Sequence, residues 1–126
     1  MKYIGNIEKE TKRNENFRQV LNTTERSQLV VMSLLPGEEI GTEIHSDTDQ
    51  FIRIEEGEAM VILDGEKREV EDDFAIVIPA GVEHNIINIG DEKLKLYTIY
   101  SPAHHPSGTV HKTKVEAEAS EAEHHH

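Results

Sequence analysis

The feature of this sequence that most constrains its fold is a series of short apolar runs separated by turn residues. Between residues 17 and 101 there are eight or more such runs, interrupted by glycine, proline and aspartate, and none has a helical period. The Asp64-Gly65 pair between two of them is a strong hairpin signal, because both residues tolerate the positive φ of a tight turn. This spacing of strands and turns predicts an all-β, antiparallel sandwich or barrel.

The segments on either side of this region are polar. Residues 1–16 are predicted to form an N-terminal arm with a short strand at residues 2–7, and residues 17–101 to form the β domain. Residues 102–126 are predicted to form a C-terminal strap and a tail, and the glutamate-rich tail is expected to be helical or frayed. The final three histidines resemble an expression tag or its remnant, and we assign them no function. A chain of 126 residues is long enough for one such domain.

Composition argues against several classes of function. The formal net charge of −12 repels phosphate backbones, so we do not expect a nucleic-acid partner. No apolar run approaches the roughly 20 residues that cross a bilayer, and the first residues lack the apolar centre of a signal peptide. The chain has no cysteine, which excludes thiolate metal sites and cysteine nucleophiles. We therefore expect a cytoplasmic protein without a membrane partner.

Several polar side chains interrupt the apolar runs in a demanding pattern. Glu43 and His45 are two residues apart, so in an extended segment they share a face. Gln50 shares a face with Ile52 and Ile54, and His84 shares one with Ile86 and Asn88. If the aliphatic faces point inward, these polar groups enter an apolar cavity, which is costly unless they bind something. On spacing alone, ordinary polar positions and a metal site both remain open.

Residues 37–57, GEEIGTEIHSDTDQFIRIEEG, resemble the first sequence motif of the cupin family. That motif is glycine, five residues, His-x-His, three or four residues, glutamate, six residues and glycine. The matching positions here are Gly37, Glu43, His45, Gln50 and Gly57. Two of them depart from the family pattern, because Glu43 replaces the first histidine and Gln50 replaces the glutamate.

Residues 73–88, DFAIVIPAGVEHNIIN, resemble the second cupin motif at the expected distance from the first. Pro79, Gly81, His84 and Asn88 fall on its Pro-x-Gly, histidine and asparagine positions, while Asp73 stands where glycine is usual. The resemblance covers roughly residues 17–101 and implies a cupin jelly-roll β-barrel. It also implies that two copies pair through their N-terminal arms as a homodimer.

The resemblance further implies a divalent metal ion inside the barrel, bound by Glu43, His45, Gln50 and His84. Imidazole and carboxylate ligands suit Zn, Fe, Mn or Ni, and the sequence does not distinguish among them. Either acidic residue of the loop between His45 and Gln50 could replace the glutamine as oxygen ligand. We interpret these two residues, Asp47 and Asp49, as solvated loop positions.

Three classes of function are compatible with such a barrel. The first is a metalloenzyme acting on a small organic molecule as an isomerase, a lyase or a dioxygenase. The second is a non-catalytic cupin that binds a small ligand, and the third is a structural barrel with a vestigial site. A sugar-phosphate substrate is disfavoured, because the parity of the strands places Arg53, Lys93 and Lys95 on the outer face.

Two features near the end of the barrel are candidates for catalysis. Tyr100 at the end of the last strand could offer its hydroxyl group to a substrate, although a core position is the alternative. Residues 101–114 contain three histidines and could fold over the barrel mouth as a lid. Such a lid would bring His105 or His111 near the metal as a general acid or base, whereas an ordered strap with surface histidines is the alternative.

Overall fold

The computed structural model describes residues 2–124 and has two β-sheets with two short helices. The elements in chain order are α1 (Ile7–Arg13), β1 (Arg18–Thr23), β2 (Gln28–Leu34), β3 (Asp49–Glu56), β4 (Glu58–Leu63), β5 (Glu66–Glu71), β6 (Ala75–Ile78), β7 (His84–Asn88), β8 (Leu94–Ser101), β9 (Val110–His111) and α2 (Lys114–His124). The predicted all-β cupin jelly roll is confirmed, although the segment of residues 42–45 is irregular and has only an isolated bridge at Glu43.

The two sheets pack face to face. One sheet has the strand order β6-β3-β8-β2-β1-β9 and the other β5-β4-β7, with antiparallel pairing throughout. Two isolated bridges, Glu39 with Ile87 and Glu43 with His84, place the beginning of the segment 37–57, which resembles the first cupin motif, alongside β7. The second sheet is thereby extended by the segment that carries Glu43, so that residues from both motifs meet at one edge.

Alternate residues of the strands form the core between the sheets. Ile52 and Ile54 of β3 and Leu94 and Leu96 of β8 are fully buried, as the alternation in the sequence predicts. Complete burial of one such side chain contributes about 1.5–3 kcal/mol relative to its exposure to water. Within the same alternation, Gln50 replaces an aliphatic side chain at the barrel mouth.

The predicted strand at residues 2–7 is wrong, because the arm begins its regular structure as the helix α1 at Ile7. The side-chain oxygen of Asn6 accepts a hydrogen bond from the Lys9 backbone N–H at 3.0 Å and so caps the helix. Glutamates lie in the first turn and basic residues in the last, which matches the helix dipole. Pairing of two copies through this arm stays a prediction.

The arm covers part of the outer face of the larger sheet. Lys95 does point outward as predicted, but it is buried rather than solvated. Its ammonium group donates to the backbone oxygen of Asn14 and lies 3.4 Å from the Glu15 carboxylate. The arm therefore supplies the acceptors that a buried ammonium group requires.

The C-terminal segment returns to the barrel after β8. Its short strand β9 pairs with β1 in the register Arg18 with His111 and Gln19 with Val110. The glutamate-rich tail forms α2, in agreement with the helical alternative for this segment. Among the described residues, neither helix is long and apolar enough to span a lipid bilayer.

Candidate metal centre

Glu43 and His45 approach each other on the irregular segment before β3. The backbone of Glu43 exchanges two hydrogen bonds of 2.9 Å with that of His84, which fixes its position beside β7. His45 is only 8% exposed, and its Nε2 atom lies 3.8 Å from Oε2 of Glu43. The sequence prediction that these two side chains share a face therefore agrees with the structure.

Gln50 lies at the start of β3 and is almost completely buried. Its Nε2 atom donates a hydrogen bond of 3.0 Å to Oγ1 of Thr98 on β8. The other end of the amide, Oε1, is buried and has no hydrogen-bond partner among the residues that the structure describes. A buried carbonyl oxygen without a partner is costly, so its presence suggests a ligand at this point.

His84 begins β7 and is also buried. Its Nδ1 atom lies 3.0 Å from the backbone oxygen of Val82. A carbonyl oxygen can only accept, so Nδ1 carries the proton and Nε2 is the atom available for a metal ion. The ring of His84 lies 5.0 Å from that of His45, measured between centroids.

The electrostatic environment keeps His45 neutral. Burial, and after it the neighbouring His104 and His84 rings, lower the pKa of His45 to about 4. At neutral pH the imidazole is therefore unprotonated, which is the state required of a metal ligand.

A third potential ligand near Glu43 and His45 is His104, which the sequence analysis did not single out. One donor atom from each of these three residues lies within 4.8 Å of the others. The His104 ring is 4.1 Å from the His45 ring between centroids, and His104 is exposed. It was missed because it lies outside both cupin motifs, in a segment whose path over the barrel the sequence does not specify.

Residues 103–106 lie against the barrel mouth, where they form one wall of a cavity of about 760 Å³. His105 lines this cavity, and its ring packs edge-on against Tyr100 at 5.3 Å. Burial, and after it the charge of Arg18, lower the pKa of His105 to about 2. His105 is consequently a neutral imidazole at any physiological pH.

The two catalytic candidates from the sequence lie at the same end of the barrel. His111 lines the cavity, and its Nδ1 atom lies 3.4 Å from Nη1 of Arg18. Tyr100 is buried, with its ring stacked on that of His104 at 5.4 Å. Both residues are close to the histidine cluster, while their roles in catalysis stay predictions.

Arg18 is an inward-pointing cation that the sequence analysis overlooked. It is opposite the core residue Met32 in the register of β1 and β2, and it is only 2% exposed. The barrel therefore has an inward cation that a phosphate group could use, so the outward directions of Arg53 and the two lysines do not disfavour a sugar-phosphate substrate by themselves. Apolar and polar residues do not alternate clearly in residues 17–21, so the sequence does not show which side chains of this run point inward.

The two loop aspartates were the alternatives to Gln50 as oxygen ligand. Asp47 and Asp49 are both exposed. The Asp49 carboxylate accepts a hydrogen bond of 2.8 Å from the backbone N–H of Ala80, where it supports the Pro-x-Gly turn. Their exposure agrees with the interpretation of both residues as solvated, although Asp49 is the first residue of β3 and only Asp47 lies in the loop.

The residues at this site fit a divalent metal ion. They offer one carboxylate, one amide oxygen without a described partner, and imidazoles, of which that of His84 is oriented by a backbone contact. Mixed nitrogen and oxygen donors of this kind suit Fe, Mn, Ni or Zn and not Cu(I). The Val82 contact of His84 is the kind of outer hydrogen bond that orients histidine ligands in metal sites.

Comparison with known proteins finds chains that are similar to this one in sequence. The family model described as a cupin domain matches residues 30–100. The uncharacterized protein YrkC of Bacillus subtilis (strain 168) is 50% identical over 125 residues, which are 94% of this chain and 67% of YrkC. The uncharacterized protein L612 of Acanthamoeba polyphaga mimivirus is 48% identical over 113 residues, covering 86% of this chain and 70% of L612.

A solved structure agrees closely with the fold described above. The crystal structure of BH2720 from Bacillus halodurans superposes with a TM-score of 0.91 at 50% sequence identity, and the match covers 93% of each chain. The likeness therefore extends beyond the family-model region to the arm and to part of the C-terminal segment.

Proposed function

This chain belongs to the cupin family, and on that premise we propose that it is a metal-dependent enzyme acting on a small organic molecule at the barrel mouth. The observation that carries the proposal is the buried Oε1 atom of Gln50, which has no hydrogen-bond partner among the described residues. A bound cation would satisfy this oxygen and would offset the cost of burying it.

We propose that one divalent ion is held by Glu43, His45, Gln50 and His84. The ion would supply Lewis acidity, or redox chemistry if it is iron. The single carboxylate of Glu43 leaves a net positive charge at the site, which favours a substrate with an anionic or strongly polar oxygen. The buried guanidinium group of Arg18 adds a second positive charge at the same end of the barrel.

The cavity next to these residues has the size of a small-molecule site. Its volume of about 760 Å³ lies within the 300–1,000 Å³ that is typical of ligand pockets. We propose His111 and Tyr100 as the groups that exchange a proton with the substrate. Because a guanidinium group cannot accept, the contact with Arg18 leaves His111 Nδ1 as acceptor and places the ring proton on Nε2.

Metal binding can be tested on the full chain with its three terminal histidines replaced by alanine, so that the tail does not bind the ion. We expect one equivalent of Fe, Mn, Ni or Zn by elemental analysis after reconstitution and dialysis. Glu43→Ala and His45→Ala should each lower the affinity more than tenfold. Asp47→Asn, a change of an exposed neighbouring carboxylate, is the matched control and should leave the affinity unchanged.

The metal that binds then directs the assay of turnover. Iron would favour dioxygenase chemistry, measured as oxygen uptake with small carbonyl or enol compounds. Zinc, manganese or nickel would favour isomerase or lyase chemistry. A metal-loaded protein that binds such compounds and converts none of them would be a non-catalytic binder, and a protein that retains no ion would be a barrel with a vestigial site.

A further inference from the structure

We propose that His104 is an additional and displaceable ligand of the metal ion, supplied by the segment that crosses the barrel mouth. This inference rests on the metal binding proposed above. It adds to the four barrel residues a histidine outside both cupin motifs, and it assigns a function to the segment of residues 103–106.

The distances around His104 are compatible with coordination. Two donors that bind one ion at about 2.1 Å can be separated by at most about 4.2 Å. The donor atoms of Glu43, His45 and His104 all lie within 4.8 Å of one another. Movements of less than about 1 Å, which a change of side-chain torsion can supply, would therefore bring all three within bonding distance of a common ion.

The backbone on either side of the His104 side chain is held in place by a buried amide. Gln28 on β2 is only 1% exposed, and its Oε1 atom accepts hydrogen bonds from the backbone N–H groups of His104 and His105 at 3.2 and 3.0 Å. Its Nε2 atom donates to the backbone oxygen of His105 at 2.7 Å. His104 is thus presented to the metal centre from a fixed backbone position, which is an arrangement that favours ligand binding.

The side chain of His104 differs from the other candidate ligands in its exposure. His45, Gln50 and His84 are buried, and Glu43 is half-buried, whereas His104 is exposed and lies outside regular structure. Release of His104 from the ion consequently exposes less buried surface than release of any of the other four side chains. An exchange between bound and released His104 therefore requires no change in the barrel.

The number of ligands indicates which molecules would displace His104. Four barrel ligands and His104 occupy five positions of an octahedral ion and leave one. A molecule that binds through one oxygen can take the sixth position, whereas a chelating molecule with two adjacent oxygens needs a second. A chelating molecule, such as a 2-oxo acid or a hydroxy ketone, would therefore replace the His104 nitrogen with an oxygen.

Cobalt(II) titration of the full chain, again with the three terminal histidines replaced by alanine, tests the role of His104. We expect His104→Ala to lower the Co(II) affinity about tenfold and to change the visible d–d spectrum. Millimolar imidazole should restore the original spectrum in this variant. Ser107→Ala, a change of an exposed residue directly after this segment that has no ligand atom of this type, is the matched control and should leave both unchanged.

A bidentate probe measures the displacement itself. Acetohydroxamate should bind the cobalt-loaded His104→Ala variant at least threefold more tightly than the cobalt-loaded protein that retains His104. In the variant, acetohydroxamate does not compete with the imidazole of His104. Equal Co(II) affinity and equal spectra for both proteins would overturn the assignment of His104 and leave the proposed metal centre intact. Failure of the His104 protein to bind Co(II) at all would overturn both proposals.

Discussion

The amide of Gln50 is oriented by Thr98, whose Oγ1 atom accepts a hydrogen bond of 3.0 Å from Nε2 across strands β3 and β8. Both side chains are buried, so water does not replace this contact. In this arrangement Thr98 accepts from the nitrogen of the amide, which leaves Oε1 for another partner. The orientation of one proposed ligand therefore depends on a side chain outside both cupin motifs.

Replacing Thr98 with valine should weaken metal binding without changing the shape of the core. The variant removes the acceptor of Gln50 Nε2 and should cost about 1–2 kcal/mol of unfolding free energy. The amide is then free to turn, and the affinity for Co(II) should fall several-fold in calorimetric titration. Thr98→Ser keeps the hydroxyl group and should retain the affinity. Equal affinities for the valine and serine variants would contradict the proposed orientation of Gln50.

Replacing Gln50 with glutamate should have opposite effects on the metal-free and the metal-bound protein. Without an ion, a buried carboxylate near Thr98 costs desolvation energy, so we expect the melting temperature to fall. With an ion, a second anionic ligand should raise the affinity about tenfold, and the stability gained on saturation should rise accordingly. Thermal unfolding with and without Co(II) measures both effects. Gln50→Leu should lose the metal-dependent gain, and a gain retained by this variant would contradict the role of Gln50.

The segment that carries His104 should be loosened by changing Gln28, which does not itself face the ion. Gln28→Leu removes the hydrogen bonds to the backbone of His104 and His105 and should cost about 2–3 kcal/mol of unfolding free energy. Amide hydrogen exchange should rise at residues 103–106. Exchange in β4 and β7, on the opposite sheet, is the internal control. Unchanged exchange at residues 103–106 would show that Gln28 does not hold this segment.

Much of the fold could be predicted from the sequence because the relevant signals are local. The hairpin at Asp64-Gly65 has positive φ values of 48° and 83°, as these residue types indicate. The alternation that placed Gln50 and His84 inward is also a local pattern and is confirmed by their burial. The strand predicted at residues 2–7 is wrong because Asn6 caps a helix at this point, so Ile7 belongs to the start of α1 and not to a strand.

The part of the site that could not be predicted depends on contacts between distant segments. His104 lies close to His45, and its backbone N–H donates to Gln28, more than 70 residues earlier in the chain. The inward direction of Arg18 likewise follows from its register opposite Met32. Periodicity within one run carries no information about either relationship, so the sequence indicated histidines in this segment without selecting the one that lies beside Glu43 and His45.

The turn before β6 offers a test of why Asp73 is tolerated where the cupin motif usually has glycine. Asp73 adopts a positive φ of 71°, and its carboxylate lies 3.0 Å from Nη2 of Arg53. Alanine lacks the local hydrogen bonding that lets aspartate and asparagine adopt this conformation, so Asp73→Ala should cost about 1 kcal/mol. Asp73→Asn keeps that tolerance and removes only the charge of an exposed ion pair, which contributes little. Urea unfolding should therefore rank asparagine near the aspartate protein and alanine below both, and equal midpoints for the alanine and asparagine variants would show that backbone conformation does not select the residue at this position.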